Sequence, residues 1–146
     1  MLRGCVHRSA AVVSRAGAVL DHRGVEVRMA GKDELGRRGE DLAARFLEDA
    51  GYSIVERNWR CRQGEIDIVA RIADTLVFVE VKTRSGLAFG HPFEAITATK
   101  LTRLRGLAAA WCAEHNPQAT RIRLDAIAVI APRKGTPVIE HLLGVF

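Results

Sequence analysis

The chain has 146 residues, 48% hydrophobic and 27% charged, with a formal net charge of +5. That length builds one domain with a real core, the composition excludes a disordered chain, and no run approaches the roughly 18 apolar residues of a membrane span. The three cysteines, Cys5, Cys61 and Cys112, stand in no CxxC or Cys/His cluster, which argues against a disulfide framework or zinc site and for a reducing, cytoplasmic setting.

Residues 1–31 differ from the rest. They hold five arginines against Asp21 and Glu26, are rich in Ala, Val, Gly and Ser, and lack clean periodicity. The apolar run Ala10–Val13 is short and Arg15 interrupts its continuation, which disfavours a signal peptide. A basic arm touching nucleic acid is an alternative. The preferred reading is a disordered or untranslated extension, with translation starting at Met29, because recognisable structure begins just after it. Residues 32–146 form the domain.

Asp33 is the expected N-cap of a helix over 34–50. Leu35, Leu42, Ala43, Phe46, Leu47 and Ala50 form its apolar stripe, and Gly51 follows as the stop. Glu40 lies at the inward edge of that stripe. It is either an ion-paired edge residue or a third acid reaching a site elsewhere. Tyr52–Trp59 reads as a strand. Trp59 is expected in the core, although Arg57, Trp59, Arg60 and Arg62 also suit gripping a nucleic-acid backbone.

Gly64–Ile72 and Thr75–Lys82 read as a β-hairpin turning at Ala73-Asp74. Pairing Ile72 with Thr75 sets Ile68 against Val79 and Asp67 against Glu80. One face is then apolar (Ile66, Ile68, Ala70, Val77, Val79, Val81). The other holds Glu65 opposite Lys82 and Asp67 opposite Glu80, beside Val69, Phe78 and Leu76. A one-residue slip would scramble both faces. Carboxylates about 5 Å apart repel by about 3 kcal/mol at an effective dielectric of about 20. A bound cation relieves that, and Mg²⁺ or Mn²⁺ favours such oxygens. Lys82, two residues beyond Glu80, could orient a water or steady developing charge. The plain alternative is a solvated ion-pair ladder, which the apolar neighbours on that face disfavour.

Residues 85–96 form a Gly/Pro-containing loop. Thr97 or Thr99 caps a second helix to His115, striped by Leu101, Leu104, Leu107, Ala108, Trp111 and Cys112 and stopped by Asn116-Pro117. Strands follow at Arg121–Ile130 and Val138–Leu143. Asp125 reads as a structural acid, and His91 as an exposed loop histidine. The order αβββαββ predicts an α/β fold, a mixed sheet flanked by helices. No Ser/His/Asp triad spacing, P-loop or dinucleotide fingerprint is present.

This order and the Asp67…Glu80-x-Lys82 spacing resemble the restriction-endonuclease-like nuclease superfamily. Within it the chain is similar to the YraN-type family of small bacterial proteins, related in fold to Holliday-junction resolvases. The matching segments are Gly39–Ala43, Glu56–Arg60, Gly64–Val69, Val79–Arg84 and Thr97–Lys100. Ile66 stands where the superfamily often has proline. The resemblance implies a restriction-endonuclease-like fold, Asp67 and Glu80 as metal carboxylates, Lys82 as the catalytic lysine, and the Val81 carbonyl as a further metal ligand. Glu40 matches the helix-borne acid of the resolvase-like branch, which implies a place for it in the metal-binding set beside Asp67, Glu80 and Val81. Arg62, Arg84, Lys100 and Arg103 are the candidate nucleic-acid contacts.

The expected function is a Mg²⁺- or Mn²⁺-dependent endonuclease acting on DNA, branched or damaged DNA included, with no membrane partner. The alternatives are a non-catalytic nucleic-acid-binding module and an assembly scaffold. The scaffold would dock through the loop around Phe89 and Phe93, a homodimer being one such assembly.

Overall fold

The computed structural model describes residues 19–20, 26–27, 31–88, 90–119 and 121–145. Most of the segment 1–31, and Phe89, lie outside the described residues. Within that segment β1 (Val19–Leu20) and β2 (Glu26–Val27) form a short antiparallel pair. The domain follows as α1 (Gly31–Asp49), β3 (Ser53–Cys61), β4 (Gly64–Ile72), β5 (Thr75–Arg84), a 3-10 turn (Pro92–Ala95), α2 (Ala98–His115), β6 (Arg121–Ile130) and β7 (Val138–Leu142). From α1 onward this is the expected αβββαββ order.

The helix ends follow local chemistry. α1 begins at Gly31, so Asp33 lies inside its first turn with Glu34 rather than at the N-cap; carboxylates there face the partial positive charge of the helix start. At the other end Gly51 takes φ +92° and the Tyr52 N–H donates to the Leu47 carbonyl at 2.9 Å, which closes the helix. For α2, Thr97 is the N-cap, its hydroxyl accepting from the Lys100 N–H at 3.3 Å. Asn116 ends it in the left-handed region at φ 44°.

The five-stranded sheet runs β3-β4-β5-β6-β7. All neighbours are antiparallel except β5 and β6, which are parallel and joined through α2, because a parallel return needs a crossover longer than a tight turn. Alternation along the strands separates two cores. On one face Ile68, Ala70, Val77, Val79, Val81, Ile127 and Val129 pack with Ala43, Ala44 and Leu47 of α1, and with Tyr52. On the other, Val69, Leu76, Phe78 and Leu124 pack with Leu104, Leu107, Ala108 and Trp111 of α2, and with Trp59. Each fully buried Leu, Ile, Val or Phe contributes roughly 1.5–3 kcal/mol, so both helices are held mainly by these faces. Ala50, expected in the α1 stripe, is exposed.

The hairpin register is the expected one from Ile72↔Thr75 to Ile68↔Val79. There it stops. Asp67 and Glu80 are not ladder partners, nor are Glu65 and Lys82. β4 continues along β3, where Arg60↔Glu65 and Trp59↔Ile66 pair, while β5 continues along β6 through Arg84↔Ile130. The two central strands therefore part at Asp67 and Glu80. Ile66 also departs from expectation: it packs in the α2-side core with Trp59, not beside Ile68. The reversal coincides with Asn58, which has φ 52°. Asn58 faces Asp67 between the rungs Arg57↔Ile68 and Trp59↔Ile66 and forms no rung of its own. A left-handed residue within a strand breaks the pleat, and the faces on either side of it no longer match.

Candidate active site

Where β4 and β5 part, Asp67 fills the gap. Its Oδ2 accepts the Val81 backbone N–H at 2.7 Å, a donor that a strand partner would otherwise have taken. Asp67 is 7% exposed and Glu80 9%. Lys82 Nζ lies 3.2 Å from Glu80 Oε1. Burial first, then the Glu80 charge, push the Asp67 carboxyl up from 3.8 to about 8; the Val81 N–H opposes this, and Glu40 and Glu65 add to it. Asp67 and Glu80 are not the rung partners expected, but the Glu80 charge acts on Asp67 where the strands splay.

These groups line a cavity of about 640 Å³ together with Glu40, Glu65, Val81, Arg84 and Arg103. Hence Asp67, Glu80, Lys82, Glu40, Val81, Arg84 and Arg103 come together, as expected of a site. Arg62 and Lys100 do not line it. Arg62 is exposed. Lys100 Nζ donates to the Ala95 carbonyl at 2.7 Å, which ties α2 to the 3-10 turn. Glu65, expected opposite Lys82, pairs instead with Arg60 across β3.

Glu40 enters the site because α1 lies tight on β5. A Cβ at Gly39 would overlap the Thr83 side chain. Glycine there lets the helix descend and brings the next residue, Glu40, to the cavity. Burial raises the Glu40 carboxyl above its usual range. A hydrogen bond from the Asn58 side chain opposes that, the Glu65 charge adds to it, and Arg57 opposes it again. Arg57 is itself paired with Asp41 at 2.7 Å. Gly39, Thr83 and Asn58 were not legible as site residues from periodicity. The available signal was an asparagine inside a strand, where it is disfavoured and where it tolerates a positive φ.

A second buried acid is fully occupied. Asp125 is 0% exposed. It accepts from Arg123 Nε and Nη2 at 2.8 Å each, from His141 Nε2 at 2.8 Å and from the Gly144 N–H at 2.9 Å. Arg123 Nη2 also donates to the Tyr52 hydroxyl at 2.8 Å. Burial alone would raise this carboxyl, but the bonds from His141, Arg123 and Gly144 prevail and bring it down to about 2. Its structural role matches the sequence expectation. His91 lies away from the acids, pairing with Glu140 at 3.1 Å and accepting from the Phe93 N–H at 3.2 Å. Trp59 is a core residue at 2% exposure. No helix among the described residues is long and apolar enough to cross a membrane.

Part of this chain matches a known protein family. Residues 39–129 match the family described as Uncharacterised protein family UPF0102, a span running from the glycine beneath Glu40 to the end of the β6 core. A UPF0102 protein of Beutenbergia cavernae is 58% identical over 117 residues, covering 80% of this chain and 99% of the relative. One from an Arthrobacter species is 56% identical with the same coverage, and one from Nocardia farcinica is 55% identical over 82% of this chain and 94% of its own length. The chain belongs to the UPF0102 family, the YraN-type family that its motifs resemble.

Proposed function

We propose that this protein is a divalent-metal-dependent endonuclease of restriction-endonuclease-like fold that cleaves DNA, branched or damaged DNA being the favoured class. The observation that carries the reading is the parted hairpin. It buries two carboxylates against each other beside a lysine, in an open cavity with arginines at its rim. Such an arrangement is electrostatically incomplete, and a cation would complete it. The donor set suits Mg²⁺ or Mn²⁺. Among the described residues no three acids, histidines or cysteines converge into a ready-made cage, but Mg²⁺ is commonly held by one or two carboxylates together with waters and substrate phosphate.

Asp67 and Glu80 would hold the ion, with the Val81 carbonyl as a further ligand. When bound, the ion supplies Lewis acidity toward the scissile phosphate and toward an attacking water. Lys82, close to Glu80, orients that water and offsets the negative charge that develops on the phosphate. Arg84 and Arg103 at the rim meet neighbouring phosphates and set the position of the strand. Glu40 lines the cavity from α1 and would complete or tune the metal site. We place the protein in the cytoplasm, where its free Cys61 and Cys112 remain reduced.

The test is cleavage of labelled linear, single-stranded, flapped and four-way-junction DNA with Mg²⁺, Mn²⁺ or EDTA, by the wild type and by Lys82→Ala. Cleavage that needs the metal and is lost in the variant is the expected result. Equal activity in Lys82→Ala would remove the assignment. A second reading has its own observation: Lys82 is already paired with Glu80, which suits a module that binds nucleic acid without cutting it. That module would bind without metal, with affinity falling steeply as salt rises, and would cut nothing in the panel.

A further inference from the structure

We propose that the connection between β6 and β7, residues 131–137, is a second nucleic-acid contact, one that grips the sugar-phosphate backbone beyond the acid cavity through Arg133 and Lys134. The inference rests on the nucleic-acid reading above and extends it to the path the substrate takes.

The topology decides which side chains share an end of the sheet. β3 finishes at Cys61 and β4 begins at Gly64; β5 finishes at Arg84, and β6, parallel to it, finishes at Ile130. The β3–β4 turn, the cavity and the β6–β7 connection therefore follow one another along the same end. Arg62 stands in the first of these turns, Arg133 and Lys134 in the last. The acids of this end are gathered at the cavity and in the first turn of α1. At the opposite end α1 finishes with Asp49 and the β4–β5 turn carries Asp74, both exposed. A polyanion that reaches the cavity thus meets cations on either side of it.

The charges of the β6–β7 connection are uncommitted. Residues 131–139 contain no acid. Arg133 and Lys134 are exposed, and neither forms a hydrogen bond or ion pair among the described residues. The β3 side differs, because Arg57 is paired with Asp41 and Arg60 with Glu65. A paired arginine must release its carboxylate to take a phosphate. Arg133 and Lys134 have nothing to release.

The connection is also held in place. The Ala131 N–H donates to the Arg84 carbonyl at 2.8 Å, which carries the β5–β6 ladder one step past the strand end. Arg38 Nη1 reaches across from α1 and donates to the Pro132 carbonyl at 3.2 Å. Pro132 and Pro137 bracket the segment, and Gly135 turns it at φ +116°. Two fixed proline dihedrals leave less freedom to lose when a ligand binds. The residue that anchors the connection, Arg84, also lines the cavity. Neighbouring strands are about 5 Å apart, so the connection lies roughly 5–10 Å to the side of β5. One strand of a duplex carries a phosphate about every 3.4 Å of axis, which puts the contact about two or three nucleotides from the metal site. A contact of this kind reads charge and position, not sequence.

The test is binding of a labelled linear DNA duplex by the full chain, followed by fluorescence anisotropy across a salt series, in EDTA and again in Ca²⁺. The variant is Arg133→Ala with Lys134→Ala. Arg45→Ala with Arg121→Ala is the charge-matched control, since both arginines are exposed and Arg121 begins β6 at the far end of the sheet. All three proteins should melt at the same temperature. Removing two phosphate contacts should lower the slope of log affinity against log salt by about 2, and the control should keep the wild-type slope. Equal losses in both variants would mean that net charge alone is at work and would overturn the inference, as would a wild-type slope in the Arg133/Lys134 variant. Either result leaves the proposed nuclease standing, because its own test is metal-dependent cleavage. Vesicles of phosphatidylserine and phosphatidylcholine form a separate arm. Wild-type binding to those vesicles that is lost in the Arg133/Lys134 variant, with DNA binding untouched, would assign the connection to a membrane surface instead. A wild type that binds no DNA in EDTA or in Ca²⁺ and cuts none with Mg²⁺ or Mn²⁺ would overturn both readings.

Discussion

Asp67 and Asp125 are two carboxylates sunk into one sheet, on strands that flank β5 from either side. Asp125 is the register partner of Val79, the last residue paired across the hairpin before the strands part. Yet Asp125 accepts from Arg123, His141 and Gly144, and its carboxyl falls to about 2. Asp67 has the Val81 N–H and acids around it, and its carboxyl rises to about 8. Burial acts in the same direction on both. The difference lies in the partners. One environment is complete without any further component, and the other leaves a raised carboxyl among acids, which is the place where the proposed function would put a cation. On that proposal the contrast would separate an acid kept for stability from an acid kept for chemistry.

The comparison can be broken first at Asp125. Asp125→Ala strips the partner from Arg123 and leaves the His141 and Gly144 donors unpaired. It should cost about 3 kcal/mol or more, read by urea denaturation. A loss of only a few tenths would make the network ornamental. Next is Gly39→Ala. Overlap with Thr83 must lift α1 off β5, and overpacking of this kind costs about 1–3 kcal/mol. The damage should fall at the open end, weakening Mn²⁺ binding while the Asp125 network persists.

The effect at Asp67 should be smaller and opposite in sign. Asp67→Asn removes the need to take up a proton, or carry a charge, among other acids on folding, and still offers an oxygen to the Val81 N–H. It should stabilise the metal-free protein by about 0.5–2 kcal/mol and abolish cleavage. A destabilised variant would mean that Asp67 is structural after all.

The pH dependence sharpens the same contrast. The Asp67 carboxyl is raised in the folded state, so its protonated form is favoured there. Its contribution is fully present below 3.8 and is lost as pH rises through about 8. The Asp125 carboxyl is lowered, so its contribution is present above 3.8 and is lost as pH falls toward about 2. Melting curves of the metal-free protein should show both slopes. Asp67→Asn should erase the first and keep the second.

The pattern of side chains was enough to read the element order, both helix faces and five rungs of the hairpin. Alternation carries that information because it repeats. The parting of the strands was not readable, since Asp67 replaces a backbone partner with its own side chain at a single point. The arrival of Glu40 depends on a missing Cβ at Gly39 and on what lies beneath it, and nothing in helical periodicity encodes that contact. Asp125 stood out as an acid between Leu124 and Ala126 in an apolar strand, but its partner His141 comes from a different strand. Lys100 sat at the inward edge of α2 as expected, and was claimed by a nearby carbonyl rather than by the distant acids.

The division of the core by the sheet has a spectroscopic consequence. The chain has two tryptophans and one tyrosine. Trp59 and Trp111 both lie in the α2-side core, whereas Tyr52 lies in the α1-side core. Indole emission therefore reports on one half of the molecule, and phenol absorbance in the near ultraviolet reports on the other. If the two halves melt as one unit, the two signals will trace a single curve. If α1 loosens first, the tyrosine will say so while the tryptophans remain silent, and no label need be attached to see it.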